Sequence, residues 1–136
     1  MLDTNVISDL IKPRPSIALR RWIDERSEES LYLSVLTLGE MRQGIEIARA
    51  DGRKRAKLEQ ALADFGARFA GRVLDVDGVV AETWSEISGR ARLKGEPVSA
   101  VDALIAATAI AHRLVVVTGN VRHFAPTGAQ ILNPFV

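Results

Sequence analysis

Three acidic residues that lie far apart in the sequence could meet around one divalent cation. Asp3 directly follows residues 1–2, which we interpret as the end of a first strand. Glu40 is expected in the first turn of the helix after a second strand, and Asp102 in the first turn of a later helix. In an open parallel sheet, ligands bind at the edge where strands end and the following helices begin. Carboxylate oxygens at that edge favour Mg²⁺ or Mn²⁺.

Asp102 is the most informative of the three acids. Apart from Asp102 and Thr108, every residue from 100 to 111 is apolar, which predicts a helix buried on all sides. An ionised carboxylate in such a helix is unfavourable unless it is paired, hydrogen-bonded or bound to a cation. The position therefore favours a functional role for Asp102.

Helix capping is the competing interpretation of these acids. The spacings Ser99-x-x-Asp102 and Thr37-x-x-Glu40 both fit a capping box. Asp3, with the Thr-Asn that follows it, could form an ordinary turn between strand and helix. Capping alone does not require all three acids at one edge, and a residue in a first helical turn can both cap and bind a metal. The combination therefore favours a metal site.

Polar and basic residues near these positions could support the same chemistry. Four of them are candidates for orienting the acids or contacting a substrate, and they are Thr4, Asn5, Thr118 and Asn120. The two histidines do not resemble a zinc pair, since His112 is expected at a helix C-terminus and His123 in a solvated loop. The absence of cysteine excludes disulfides, thiolate nucleophiles and thiolate zinc sites.

The elements that must position these residues alternate between strands and helices. Hydrophobic periodicity predicts helices over 5–11, 37–50, 53–69, 79–93 and 99–112, and one further helix capped by Ser16. Strands are predicted over 30–35, 73–76, 114–117 and 129–132, with a turn at residues 51–52. This order favours a parallel sheet covered on both faces, in a single domain over residues 1–136.

Composition narrows the classes of partner. The most apolar segment, 98–111, is too short for a membrane span and contains Asp102, while charged side chains in the first twenty residues argue against a secretory signal. We therefore expect a cytoplasmic protein. The net charge of +1 means that RNA binding would depend on local clusters. The densest cluster (Arg49, Arg53, Lys54, Arg55 and Lys57) could contact phosphate or simply form a solvated helix start.

Five blocks of sequence, in order, resemble PIN domains of the VapC and FitB type. They are LDTNVIS at 2–8, LSVLTLGEMRQG at 33–44, DALIAATA at 102–109, VVTGNVRHF at 116–124 and LNPF at 132–135. The resemblance covers essentially the whole chain and keeps its spacing.

The resemblance implies a fold, an activity and partners. The implied fold is an α/β three-layer sandwich with a mostly parallel five-stranded sheet, forming a homodimer. By resemblance, Asp3, Glu40 and Asp102 bind Mg²⁺ or Mn²⁺ and catalyse hydrolysis of RNA phosphodiester bonds, commonly in tRNA. The chain would be the toxin of a type II toxin–antitoxin system, held inactive by a cognate antitoxin and contacting promoter DNA only through it.

One departure from the family pattern keeps alternatives open. Many relatives carry a fourth acid where this chain reads Thr118-Gly119-Asn120, so a second metal is in doubt. A non-catalytic PIN-like module that binds RNA or protein is one alternative. Another metal-dependent phosphohydrolase is a second, although the Asp-x-Asp of aspartyl phosphatases is absent because residue 5 is Asn.

Overall fold

The computed structural model describes residues 1–136 as an α/β arrangement in which helices predominate. The seven α-helices are α1 (Thr4–Leu10), α2 (Ile17–Asp24), α3 (Val35–Ile47), α4 (Gly52–Arg68), α5 (Gly78–Leu93), α6 (Ala100–Ala111) and α7 (Val121–Phe124). The four strands are β1 (Leu33–Ser34), β2 (Val73–Leu74), β3 (Val116–Val117) and β4 (Ile131–Leu132). No helix is both long enough and apolar enough to cross a membrane.

The strands are parallel, as predicted, but each has only two residues. β1 pairs with β2 in one two-stranded sheet, and β3 pairs with β4 in another. The start of the chain lies between them, because the Leu2 N–H donates to the Tyr32 carbonyl at 2.9 Å and the Asp3 N–H donates to the Val117 carbonyl at 2.9 Å. Leu2 and Val117 also form a parallel bridge. The first strand is thus reduced to a bridge, at the expected position.

Alternating residues of these extended segments face two different hydrophobic clusters. Leu2 and Val117 pack in one cluster with residues of α1, α2 and α4. Their neighbours Met1 and Val116 pack in another with residues of α6 and α7. Because successive strand residues point to opposite faces, the helices cover both sides of the strands. α5 packs on the outer side of α6.

Short polar side chains define where several helices begin. The Ser16 hydroxyl accepts the Leu19 N–H at 3.3 Å, and the Ser99 hydroxyl accepts the Asp102 N–H at 3.2 Å, which confirms both predicted caps. Asp51 caps α4 in the same way, so Gly52 is the first residue of that helix. The prediction of a turn at residues 51–52 was therefore wrong.

The start of α3 differs from the sequence prediction. The Ser34 hydroxyl accepts the Leu36 N–H at 3.1 Å, so the helix begins at Val35, two residues earlier than expected. Glu40 consequently lies in the second turn, and the predicted capping box from Thr37 to Glu40 was wrong. The strand predicted over 30–35 shortens to Leu33–Ser34, because Ser30 belongs to a 3₁₀ turn (Glu28–Ser30) and Val35 already belongs to α3.

Candidate active site

Asp3 is a buried carboxylate at the start of α1. Asp3 is the last residue of the first extended segment, directly before α1, and it is 4% exposed. The Thr118 hydroxyl donates to Asp3 Oδ2 at 2.8 Å. Burial is the main cause that raises the pKa of Asp3, and the negative charges of Asp102 and Glu40 raise it further, against the lowering effect of hydrogen bonds from Thr118 and Thr4. The negative charges of Glu40 and Asp102 therefore reach the Asp3 carboxylate.

Glu40 approaches Asp3 from the second turn of α3. The Thr4 hydroxyl, which belongs to the residue after Asp3, donates to Glu40 Oε1 at 2.6 Å. Thr37, one turn earlier on α3, is fully buried, and its hydroxyl oxygen lies 3.5 Å from that of Thr4. This chain of hydroxyls holds the Glu40 side chain beside the start of α1.

Asp102 lies in the first turn of α6, as predicted, and it contacts a histidine that sequence reasoning did not place in the site. Asp102 Oδ2 lies 3.5 Å from His123 Nδ1, and the two side chains are 23% and 62% exposed. His123 belongs to α7 and not to a loop, so the predicted location was wrong. Only the proximity of His123 to Asn120 along the chain could have suggested this placement.

The segment after β3 closes the site beside Asp3. Thr118 is fully buried, and its hydroxyl also accepts the Asn120 N–H at 2.9 Å. Asn5 Oδ1 accepts the Gly119 N–H at 3.4 Å. The Asn120 residue itself is exposed. Thr4, Asn5 and Thr118 are thus tied to the acids or to each other by side-chain bonds, whereas Asn120 is tied through its backbone.

Gly119 is required by a close approach. A Cβ on Gly119 would lie 2.9 Å from two ring carbons of Phe135 and 3.4 Å from Asn5 Nδ2. The absence of a side chain lets the segment after β3 pass between the C-terminal residues and α1. The sequence analysis did not identify this role.

The donor set suits a hard divalent cation, although the acids do not form a closed cage. No three histidine, aspartate or glutamate side chains converge tightly enough to enclose an ion. The acids nevertheless raise the pKa of Asp3 through their charges, and a cation among them would relieve that repulsion. Three carboxylates with neutral oxygen groups around them match the ligands that Mg²⁺ and Mn²⁺ prefer.

Comparison with known proteins places the chain in a family. The PIN domain family matches residues 1–128. The VapC ribonuclease Y4jK of Sinorhizobium fredii is 36% identical over 99% of this chain and 96% of its own length. The toxin FitB of Neisseria gonorrhoeae is 35% identical over 99% of this chain and 97% of its own length. The tRNA(fMet)-specific endonuclease VapC of Shigella flexneri is 31% identical over 94% of this chain and 91% of its own length.

Solved structures agree with this assignment. The crystal structure of FitAcB from N. gonorrhoeae superposes with a TM-score of 0.91 at 36% identity, over 98% of this chain and 96% of the other. The structure of FitAB bound to an IR36 DNA fragment gives a TM-score of 0.90 at 34% identity, over 99% and 94% of the two chains. The chain therefore belongs to the PIN domain family, and within it to the VapC and FitB type of toxin ribonucleases.

Proposed function

We propose that this chain is a Mg²⁺- or Mn²⁺-dependent endoribonuclease in which Asp3, Glu40 and Asp102 form the active site. The observation that carries the proposal is the buried Asp3 carboxylate, which the Thr118 hydroxyl contacts at 2.8 Å, with Glu40 held beside the start of α1 by the Thr4 hydroxyl at 2.6 Å. A buried carboxylate with two further acids near it lowers stability, and such arrangements occur mostly at functional sites. Cation binding and phosphodiester hydrolysis supply that function.

Each residue has a distinct role in this proposal. Asp3 and Asp102 would bind the cation directly, and Glu40 would bind it directly or through water. When bound, a divalent cation stabilises negative charge on the phosphate and promotes ionisation of water. Thr118 holds Asp3 by its 2.8 Å hydrogen bond, and Thr4 holds Glu40 by its 2.6 Å hydrogen bond. Asn5 and Asn120 stand beside this group, where amide groups could contact RNA phosphate.

The partners follow from the relatives. The VapC of S. flexneri is named for its action on tRNA, and we propose a structured RNA of this kind as the substrate here. We further propose a cognate antitoxin that binds promoter DNA on behalf of the pair, in keeping with the DNA-bound FitAB structure.

The proposed functional form is a homodimer of single PIN domains spanning residues 1–136, each with five short parallel strands. Light scattering coupled to size-exclusion chromatography would test the dimer.

RNA digestion tests the enzymatic proposal. Purified chain should cleave structured RNA with Mn²⁺ or Mg²⁺, and EDTA should stop the cleavage. Asp102→Asn should remain folded and inactive. RNA binding without cleavage under any divalent cation would contradict the proposal.

A non-catalytic RNA-binding module is the second candidate. The observation that favours it is the lack of a carboxylate in Thr118-Gly119-Asn120, which limits the number of cations the site could hold. The same digestion distinguishes the two functions, because a binding module would shift RNA on a native gel and leave it intact with Mn²⁺.

A further inference from the structure

Each of the three acids has one polar side chain from another part of the sequence next to its carboxylate. The Thr118 hydroxyl donates to Asp3 at 2.8 Å, and the Thr4 hydroxyl donates to Glu40 at 2.6 Å. For Asp102, the corresponding group is the His123 imidazole at 3.5 Å. No other side chain lies within hydrogen-bond or ion-pair distance of the Asp102 carboxylate. His123 is therefore the one group positioned to orient it.

The position of His123 is fixed by its neighbour in sequence. Phe124 is fully buried and packs with Ile105 and Ala106 of α6. The His123 N–H donates to the Asn120 carbonyl at 3.0 Å, which closes the first turn of α7. Since α7 is packed on the helix that carries Asp102, the backbone of His123 is held near that carboxylate, while the imidazole itself is 62% exposed.

We propose that His123 is a positioning residue that orients the Asp102 carboxylate for cation binding. This inference rests on the proposed metal-dependent function. Nδ1 lies 3.5 Å from Oδ2, which is an ion-pair distance, and a small turn of the exposed imidazole would bring its N–H into a hydrogen bond that fixes the carboxylate rotamer and leaves Oδ1 for the cation. Groups that orient a metal-binding side chain in this way change metal affinity by about 10- to 100-fold when they are removed.

Direct measurement of Mn²⁺ binding to the full chain, without RNA, tests the proposal. Titration calorimetry would compare the unchanged protein with His123→Ala, His123→Asn and His123→Gln. We expect His123→Ala to weaken Mn²⁺ binding by about 10-fold or more. Asn places its amide nitrogen near the position of Nδ1, whereas Gln places it near Nε2. His123→Asn should therefore recover most of the affinity, and His123→Gln should recover less.

The second histidine supplies a matched control. His112 is exposed and terminates α6 at the end opposite Asp102, so His112→Ala should bind Mn²⁺ like the unchanged protein. The melting temperature of the metal-free protein should not change in either alanine variant, because both side chains are exposed. A further readout is the cleavage rate, which His123→Ala should regain at saturating Mn²⁺ because positioning acts through affinity.

Three results would overturn the proposal. The first is unchanged Mn²⁺ affinity in His123→Ala while Asp102→Asn loses binding, which would leave the proposed function intact and remove His123 from it. The second is an equal loss of Mn²⁺ affinity in His123→Ala, His123→Asn and His123→Gln, which would show that residue 123 does not act as a hydrogen-bond donor at the position of Nδ1. The third is no Mn²⁺ binding by the unchanged protein, which would remove the metal-dependent function and the positioning role together.

Discussion

At the scale of single residues, the folded protein disfavours the ionised form of the Asp3 carboxyl group. Burial and the charges of Glu40 and Asp102 raise its pKa in the folded state. The folded protein then binds a proton more tightly than the unfolded chain does. The stability of the metal-free protein therefore falls as pH rises from the unfolded pKa, near 3.9, through the raised folded pKa. Above the folded pKa the full penalty is present, and a bound cation would offset it.

The first prediction concerns Asp3→Asn. Asn can still accept the hydrogen bond from Thr118, but it carries no charge for the cation. Loss of a metal-binding charge worth several kcal/mol should reduce cleavage by about 10³-fold or more. The free energy of unfolding of the metal-free protein at pH 7 should rise, because the buried charge is gone.

Urea denaturation and RNA digestion, each with and without Mn²⁺, measure both effects of Asp3→Asn. The added stability should disappear at pH values below the unfolded pKa, where the Asp3 carboxyl of the unchanged protein is protonated in both states. A variant that is inactive and also less stable at pH 7 would indicate damage to the fold, and would contradict this account of Asp3.

The second prediction concerns Gly119, whose missing side chain leaves room for Phe135. The Cβ of Gly119→Ala would lie 2.9 Å from the Phe135 ring, so the ring or the segment after β3 must move. We expect Gly119→Ala to lower both stability and cleavage. Gly119→Ala combined with Phe135→Leu should recover much of the loss, because the smaller side chain makes room. Thermal denaturation and cleavage assays of the two single variants and the double variant test this coupling, and strict additivity would contradict it.

At the scale of elements, the helix starts explain which boundaries the sequence could predict. Ser16 and Ser99 were identifiable because each precedes a helical pattern by the spacing of a cap. Ser34 was missed because it lies within an apolar run that has the composition of a strand. The run does begin as a strand, but the Ser34 hydroxyl turns it into α3 after two residues. Local composition does not distinguish the two outcomes.

The third prediction concerns the junction between α1 and α2, where Asp9 joins two elements. Asp9 Oδ2 accepts the Ser16 N–H at 2.8 Å and Oδ1 accepts from Lys12 Nζ at 2.8 Å, and these bonds lower the pKa of Asp9. Asp9→Ala should lower the free energy of unfolding at pH 7 by about 1–2 kcal/mol. Lys12→Ala should have a smaller effect, because its side chain is 60% exposed.

Urea denaturation over a range of pH tests the role of Asp9. Because the folded pKa is lowered, the stabilisation is present above the unfolded pKa and is lost as pH falls through the folded pKa. The difference between Asp9→Ala and the unchanged protein should therefore shrink in strong acid. A difference that is the same at pH 7 and in strong acid would mean that Asp9 stabilises the junction by packing and not by charge.

At the scale of the whole molecule, the sequence indicated at which edge of the sheet the candidate site lies, but it did not predict which side chains contact one another there. The parallel pattern was sufficient to expect Asp3, Glu40 and Asp102 at one edge, and the Thr4 hydroxyl does hold Glu40 beside the start of α1, but the three carboxylates do not enclose a position for an ion, so their shared site stays a prediction. The contact of His123 with Asp102 was not predictable from a local pattern, because it depends on Phe124 packing α7 against α6. The sequence also did not predict that each strand has only two residues, because a hydrophobic run does not show how many of its residues form hydrogen bonds with a neighbouring strand.

The distribution of charge over the molecule is the basis of the last prediction. Net charge is +1, so long-range attraction to RNA is weak and local clusters must supply it. The basic cluster at the start of α4 lies beyond the far end of α3, about 10 Å along that helix from Glu40. Arg49, Arg53, Lys54 and Lys57 are all exposed, and only Arg55 has an acidic partner, Glu59. Cations at a helix start oppose its dipole, which argues for a role outside folding.

We therefore expect the cluster to contact phosphates of a structured RNA at a distance from the bond that is cut. The triple substitution Arg53→Gln, Lys54→Gln and Lys57→Gln should weaken binding of structured RNA. If three phosphate contacts are lost, the slope of log K against the logarithm of salt concentration should become shallower by about 2–3. Cleavage of a dinucleotide should be unaffected, because it contains little more than the bond that is cut and does not extend to α4. The matched control is Arg90→Gln, Arg92→Gln and Lys94→Gln at the end of α5, which removes the same charge from a helix end where cations suit the dipole. Equal losses in the two triple variants would show that only total charge matters, and the α4 cluster would then be a solvated helix start.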